Sequence, residues 1–171
     1  MTPQPVPPAV DAQATAQAVG RAMWARDNAT QALGMCLSAI GPGSATITMP
    51  VRRDMLNGHQ MCHGGFIFTL ADSSFAYACN SHNVNTVAAG CQIDFLSPAR
   101  EGELLVAEAI ERVAAGRTGI YDIAVRVQGG AADRAVPREK PPDRWRRHRR
   151  PCATRLIRPT RFPAQPPRRP R

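Results

Sequence analysis

Residues 65–82 form the longest part of this chain that can be one uninterrupted helix. Their sequence, GFIFTLADSSFAYACNSH, contains no proline, and its apolar side chains fall on nearly every side of a helix with about 3.6 residues per turn. A helix that is apolar all round has to be covered by the rest of the fold. We therefore expect one long buried helix at the centre of the molecule.

The other segments are predicted to form the helix and the strands that pack around this helix. A first helix is predicted over residues 11–33, which are rich in Ala, Gln and Arg. Strands are predicted at 35–40 and 45–49 before the long helix, and at 86–95, 104–112 and 118–127 after it. Strands, one buried helix and then a strand meander predict an α+β fold, in which an antiparallel sheet curls around the helix.

The basic residues are concentrated near the C-terminal end. Residues 129–171 hold 14 of the 22 Lys and Arg, nine of the 16 Pro and three of the 13 Asp and Glu residues. This composition is typical of disorder. We expect a disordered N-terminus over 1–10, one folded domain over 11–128 and an Arg/Pro-rich disordered tail over 129–171. The tail has few aromatic side chains for stacking on bases, so no nucleic-acid partner is expected.

The location of the protein is predicted from what its sequence lacks. The start, MTPQPVPPAV, has neither the basic residues nor the apolar run of a secretory signal. No stretch approaches the roughly 20 apolar residues that span a bilayer. The five cysteines include no Cys-x-x-Cys pair, so a zinc ribbon is not expected, and Cys62, Cys79 and Cys91 are interpreted as core thiols rather than nucleophiles. A cytoplasmic protein without a metal or a membrane partner is expected.

One carboxylate interrupts the apolar helix, and two glycines precede it. Asp72 lies in the middle of the helix, where a charge is costly unless it is hydrogen-bonded or functional. Gly64 and Gly65 follow His63 and open the helix, where unobstructed N–H groups at the positive end of the dipole can stabilise an oxyanion. The alternatives are an Asp72 that is bonded to Ser73, Ser74 or the backbone, and a glycine pair that only makes a turn.

Helix geometry limits how these groups can act together. Gly64 and Asp72 are eight residues apart, which is roughly 12 Å at 1.5 Å per residue. The carboxylate and the amide of one helix therefore cannot serve the same carbonyl group. Two copies packed antiparallel about a two-fold axis would bring Asp72 of one chain to Gly64 of the other. Catalysis by these residues thus requires a dimer.

Three stretches carry a resemblance to a known family. They are 56–81 (LNGHQMCHGGFIFTLADSSFAYACNS), 92–99 (QIDFLSPA) and 116–122 (GRTGIYD), and the similarity extends over about residues 21–128. These stretches resemble the phenylacetate-degradation thioesterases, a family with the hotdog fold. The resemblance implies hydrolysis of phenylacetyl-CoA and hydroxyphenylacetyl-CoA thioesters in phenylacetate catabolism. Coenzyme A is then part of the substrate, no cofactor is needed, and the protein is a homo-oligomer built as a dimer of dimers.

The resemblance also implies roles for individual residues. The family carboxylate, a general base or a nucleophile, falls on Asp72. The polar residue near the attacking water or the carbonyl falls on Asn57, which would otherwise be an ordinary turn residue. The oxyanion amide falls on Gly64 or Gly65, next to the signature histidine His63, whose alternative roles are to cap the helix or to lie in the core.

A substrate-binding segment is predicted at Arg117, Thr118 and Gly119. Arg117 is a candidate cation for a CoA phosphate, and the alternative is a solvated loop arginine. Three other functions compete with hydrolysis. They are an enoyl-CoA hydratase or dehydratase on the same fold, a non-enzymatic acyl-CoA binder, and a nucleic-acid-binding arm made by the basic tail.

The resemblance ends near residue 129, where the family has one more strand, of the type LIALFRG. Residues 132–144 (ADRAVPREKPPDR) can be encoded by DNA that gives LIALFRGKSHRIG when it is read from its second base. We hypothesise a reading-frame shift near 129–131, which would remove the last strand and weaken both the fold and the activity of this chain. The alternative is an authentic basic extension. Sequencing the coding DNA tests the hypothesis, and an intact frame would contradict it.

Overall fold

The computed structural model describes residues 11–130 and a two-residue strand at Leu156–Ile157. The predicted disordered N-terminus, 1–10, and most of the predicted tail lie outside the described residues. The helices are α1 (Ala12–Trp24), α2 (Asn28–Ala32) and α3 (Gly64–Asn80), and the strands are β1 (Cys36–Gly41), β2 (Ser44–Pro50), β3 (Val87–Ala88), β4 (Leu104–Ala115), β5 (Thr118–Val127) and β6 (Leu156–Ile157). None of the described helices is both long and apolar enough to cross a membrane.

The single helix predicted over 11–33 is wrong, because the chain forms two helices there. Helix α1 ends at Trp24, and Asp27 caps α2 by accepting a hydrogen bond from the Thr30 amide at 3.1 Å. The side chain of an Asp competes with the backbone for hydrogen bonds and is favoured at a helix start rather than inside a helix. The break at Asp27 follows from that preference.

Four strands form one antiparallel sheet in the order β1-β2-β4-β5. They confirm the strands predicted at 35–40, 45–49, 104–112 and 118–127. Burial alternates along β2, where Ala45, Ile47 and Met49 are buried and the residues between them are half-buried. Such alternation gives the sheet one apolar face on which a helix can pack.

Helix α3 lies on that apolar face. The Phe75 ring packs edge-on against Tyr121 of β5, with ring centroids 5.3 Å apart. The Tyr77 ring is 6.3 Å from that of Trp24 in α1, so α1 closes one end of the core. The buried Tyr121 hydroxyl donates a hydrogen bond of 2.6 Å to Glu111. The structure confirms the predicted α+β arrangement of an antiparallel sheet around one long helix.

The prediction that α3 is buried on all sides is wrong for a single chain. The buried side carries Leu70, Ala71, Ser74, Phe75, Tyr77, Ala78 and Cys79. On the other side Asp72 is exposed, and Phe66, Thr69 and Ser73 are only half-buried. A sheet covers one side of a helix and leaves the other side open. Some of the apolar side chains around α3 therefore remain partly exposed in a single chain.

The strand predicted at 86–95 is largely wrong. Only Val87–Ala88 is a strand, and it pairs with Leu156–Ile157 instead of with the four-stranded sheet. Residues 89–95 have no regular secondary structure. A strand exists only where a neighbour accepts and donates its backbone hydrogen bonds, and within the described residues β5 forms the edge of the main sheet. Residues 86–95 have the sequence pattern of a strand, but the described residues include no strand long enough to pair with all of them.

The C-terminal end of α3 is attached to the turn between β1 and β2. The Gly43 amide donates to the Ser81 hydroxyl at 2.7 Å, and the Gly43 carbonyl accepts from the Glu111 amide at 2.7 Å. Gly43 has a φ of 66°, and a Cβ added to it would lie 2.9 Å from the Glu111 Cβ. This turn therefore requires glycine both for its backbone conformation and for space.

We expect Gly43→Ala to lower the free energy of unfolding more than Gly102→Ala does. Both glycines have a positive φ, 66° and 82°, so each alanine is strained by about 1–2 kcal/mol. A Cβ at Gly102 meets nothing within 4 Å, whereas the crowding at Gly43 adds about 1–3 kcal/mol. Chemical denaturation of the two variants measures the difference, and equal losses would contradict this account of the turn.

Candidate active site

Backbone hydrogen bonds fix the loop before α3 on two sides. The His63 amide donates to the Met55 carbonyl and the Cys62 amide to the Ala99 carbonyl, both at 2.8 Å. Leu56 and Cys62 also form an antiparallel bridge. The start of α3 is therefore held in a defined position between the segment that follows β2 and the segment that leads into β4.

His63 caps the helix. Its backbone is extended (φ −63°, ψ 133°), and its Nδ1 accepts a hydrogen bond of 3.0 Å from the Gly65 amide. The side chain is exposed, and its ring lies edge-on to Phe66 with centroids 6.5 Å apart. Of the roles considered for this residue, the capping role is the one seen in the structure. One consequence is that the Gly65 amide already has an acceptor.

Gly64 is the first residue of α3, and its amide has no acceptor within the part of the chain that the structure describes. An unpaired amide at a helix start carries the positive end of the helix dipole. Of the two amides predicted from the sequence, Gly64 is thus the one that remains able to bind an oxyanion, while Gly65 is occupied by His63.

Asn57 shapes the same loop. Its Oδ1 accepts hydrogen bonds from the His59 amide at 2.9 Å and the Met61 amide at 3.3 Å, and its own amide donates to the Met61 carbonyl at 2.8 Å. This is the turn role that an Asn-Gly pair ordinarily has. With Oδ1 used in this way, Nδ2 is left as a donor that makes no hydrogen bond to any described residue.

Asp72 is exposed on the open side of α3, and its carboxylate makes no hydrogen bond within the described residues. The two neighbouring serines are engaged elsewhere, since the Ser74 hydroxyl donates to the Ala71 carbonyl at 2.9 Å and the Ser73 hydroxyl lies 3.3 Å from that of Thr30. The structural alternative for Asp72 is therefore excluded. Partial desolvation by the surrounding helix raises the pKa of this carboxyl, although solvent still reaches it.

The predicted substrate-binding residues lie in a different part of the molecule. Arg117, Thr118 and Gly119 are at the hairpin between β4 and β5, where Gly116 has a φ of 57°. The Thr118 hydroxyl donates to the Ala115 carbonyl at 3.0 Å, and Gly119 is buried. No described hydrogen bond joins Thr118 or Gly119 to Gly64 or Asp72.

Sequence reasoning missed two neighbours of the site. A cavity of about 410 Å³ lies beside the first turns of α3 and is lined by His63, Gly65, Phe66 and Thr69. Thr69 follows Gly65 by one helical turn, and its hydroxyl donates to the Gly65 carbonyl at 2.8 Å, a contact that the i, i+4 spacing would have indicated. Phe95 packs against Gly64 across 31 positions of sequence, and no local pattern predicts that contact.

The thiols take no part in the site. Cys62 and Cys79 are buried as predicted, and burial raises the pKa of both, that of Cys79 to about 12. A thiol with a raised pKa is a poor nucleophile at neutral pH. The prediction for Cys91 is wrong, because it is exposed in the irregular segment that replaces the predicted strand.

Among the described residues, no group of three or more His, Cys, Asp or Glu residues is arranged to hold a metal ion.

Known proteins are similar to this chain in sequence and in fold. The Thioesterase superfamily model matches residues 59–132. The acyl-coenzyme A thioesterase PaaI of Escherichia coli (strain K12) is 48% identical over 104 residues, which are 61% of this chain and 74% of the relative. A putative esterase of Archaeoglobus fulgidus is 38% identical over 104 residues, covering 61% of this chain and 68% of the relative.

Solved structures give the same result. The structure of the E. coli PaaI protein from the phenylacetic acid degradation operon aligns with a TM-score of 0.69 and 44% identity, over 70% of this chain and 86% of that chain. A mutant of the phenylacetic acid degradation protein PaaI from Thermus thermophilus aligns with a TM-score of 0.57 and 37% identity, over 59% and 87% of the two chains. The chain therefore belongs to the thioesterase superfamily, with the hotdog fold and thioester hydrolase activity of that superfamily.

Proposed function

We propose that this protein hydrolyses acyl-CoA thioesters of the phenylacetyl type in a site made by two copies of the chain. Asp72 of one copy is the general base or nucleophile, and the Gly64 amide of the other copy binds the oxyanion. The observation that carries the proposal is a pair of unsatisfied groups on one helix, the carboxylate of Asp72 and the amide of Gly64. Asp72 is the only charged residue of α3, and partial desolvation raises its pKa, as is common for carboxylates at functional sites.

The proposed chemistry uses only these groups and water. Asp72 either removes a proton from a water that attacks the thioester carbonyl, or attacks that carbon itself and is then released by water. In both cases the carbonyl oxygen becomes an oxyanion that the Gly64 amide stabilises. The C–S bond breaks as the oxyanion collapses, and the departing thiolate takes up the proton held by Asp72 on the general-base route or a proton from water on the nucleophilic route. On the nucleophilic route water then hydrolyses the anhydride between the acyl group and Asp72. The products of both routes are a carboxylic acid and the thiol of coenzyme A. The reaction requires no separate cofactor.

A two-fold dimer follows from the separation between the two groups. They are eight residues apart on one straight helix, roughly 12 Å, whereas base and oxyanion hole must lie on the same thioester. The open side of α3, with exposed Asp72 and half-buried Phe66 and Thr69, is the surface that an antiparallel partner would cover. The family resemblance extends the proposal to a dimer of dimers.

The remaining predicted residues have supporting roles in this proposal. His63 holds the Gly65 amide and so fixes the first turn of α3. Asn57 shapes the preceding loop and offers its Nδ2 to the attacking water or to the carbonyl. Arg117, Thr118 and Gly119 are proposed to meet the nucleotide part of CoA, with the Arg117 guanidinium as the cation for a phosphate.

The relatives support the choice of substrate. PaaI of E. coli is named an acyl-coenzyme A thioesterase, and its structure is assigned to the phenylacetic acid degradation operon. We also propose that the protein is located in the cytoplasm. Cys36, Cys62, Cys79 and Cys91 are free thiols, and free thiols are typical of proteins in reducing compartments.

The rival functions are less well supported. A hydratase or dehydratase needs a histidine paired with its carboxylate, but Asp72 has no hydrogen-bonded partner within the described residues and His63 Nδ1 is used as a cap. A non-enzymatic binder would not need an unpaired carboxylate with a raised pKa on the open side of the helix. The nucleic-acid arm depends on residues that lie outside the described part.

We expect Asp72→Asn to lower kcat for phenylacetyl-CoA by about 10²–10⁴-fold, the usual contribution of a general base. Release of the free thiol in steady state measures the loss. Because the pKa of Asp72 is raised, the folded state disfavours the ionised carboxyl, so the neutral Asn should not lower the thermal unfolding temperature at neutral pH. Glu101→Gln, which removes an exposed carboxylate from a turn, is the control and should keep full activity. An active Asp72→Asn enzyme would contradict the proposal.

The pH dependence of the wild-type enzyme gives a second readout of Asp72. Only the ionised carboxyl can act as base or nucleophile, so kcat/KM should fall as pH falls through the raised pKa of Asp72. The apparent pKa of that decline should lie above the ordinary value of 3.8. A rate that stays flat down to 3.8 would show that another group carries the reaction.

A further inference from the structure

Phe95 is a large apolar residue that the core does not use. Its side chain is 55% exposed, and it belongs neither to the buried core nor to the half-buried residues packed against that core. Exposed apolar residues are common singly and need no explanation by themselves. The contact that its ring makes, however, is with the first residue of α3.

The Phe95 ring lies directly against Gly64. A Cβ added to Gly64 would be 3.1 Å from the ring Cζ, 3.3 Å from Cε1 and 3.6 Å from Cε2. Gly64 has an ordinary helical start and no positive φ, so its backbone conformation does not require glycine. A Cβ at this position would therefore require the Phe95 ring to move by a few tenths of an ångström.

A backbone hydrogen bond keeps this part of the chain at the helix start. The Ala99 carbonyl accepts from the Cys62 amide at 2.8 Å, and Ala99 is buried. This anchor is four residues after Phe95 and two residues before Gly64. The ring is thus tied to Gly64 through the short segment 95–99 even though 89–95 has no strand partner in the main sheet.

We propose that Phe95 is a positioning residue of the thioesterase site, whose ring shields the Gly64 amide from water. The inference rests on the proposed function, in which that amide binds the oxyanion. An apolar ring packed against the Gly64 backbone excludes water from that side of the residue and lowers the local dielectric constant, which strengthens the hydrogen bond of the amide to a developing negative charge. Because shielding acts on the transition state, it contributes to kcat more than to KM.

The test compares Phe95→Ala, Phe95→Leu and the control Leu96→Ala, with phenylacetyl-CoA and acetyl-CoA as substrates. Leu96 is 84% exposed and also lies outside the core. One oxyanion donor contributes about 10²–10³-fold to kcat, and we expect Phe95→Ala to lose a part of this, about tenfold, with both substrates and with little change in KM. Phe95→Leu, which keeps an apolar cover, should recover most of the rate, and Leu96→Ala should match wild type.

Thermal unfolding and the mass of the assembly are measured for each variant. Both should stay unchanged in Phe95→Ala, because Phe95 is outside the core. The inference is overturned if Phe95→Ala keeps the wild-type kcat, if its loss is confined to KM, or if the loss follows dissociation of the assembly. A wild-type protein that hydrolyses neither substrate would instead overturn the proposed function, so the two failures are distinguishable.

Discussion

The rigid rise of an α-helix is the constraint on which this account depends. Asp72 and the Gly64 amide are on the same helix, two turns apart, and a helix of ordinary geometry cannot bend to bring them together. Each group is nevertheless left without a hydrogen-bond partner in the described chain. In the proposed dimer, a second copy of the same helix that runs in the opposite direction satisfies both groups, once at each end of the pair.

The groups that carry the proposed function lie on or beside one helix. The open side of α3 carries Asp72, the start of α3 carries the free amide of Gly64, and the ring of Phe95 covers that start. The core on the other side is well satisfied, since even the buried hydroxyl of Tyr121 has a partner and no buried side-chain nitrogen or oxygen in the described residues lacks one. The fold thus separates the side of α3 that packs in the core from the open side, which we propose for chemistry and assembly.

Sequence reasoning succeeded where the signal is local. The helix α3 and the four strands of the main sheet follow from apolar periodicity, and the catalytic role of Asp72 stays a prediction. It failed where distant parts of the chain decide. The segment 86–95 has the composition of a strand, but pairing depends on a neighbour, and only Val87–Ala88 finds one. The role of His63 depended on a hydrogen bond to Gly65, and the contact of Phe95 with Gly64 on tertiary packing. The hypothesis of a reading-frame shift near 129–131 offers one reason why β5 is the edge of the main sheet within the described residues.

Complementation between two inactive variants tests the shared site most directly. Gly64→Pro removes the amide hydrogen at a helix position that tolerates proline. Gly64→Ala keeps the amide but also adds a Cβ next to Phe95, so it controls for that contact. Chains carrying Asp72→Asn or Gly64→Pro should each be inactive alone. Co-expressed in equal amounts they should recover about a quarter of wild-type activity, because half of the two-fold dimers are mixed and each mixed dimer has one intact site. Mixed dimers that form and remain inactive would contradict a site shared between two copies.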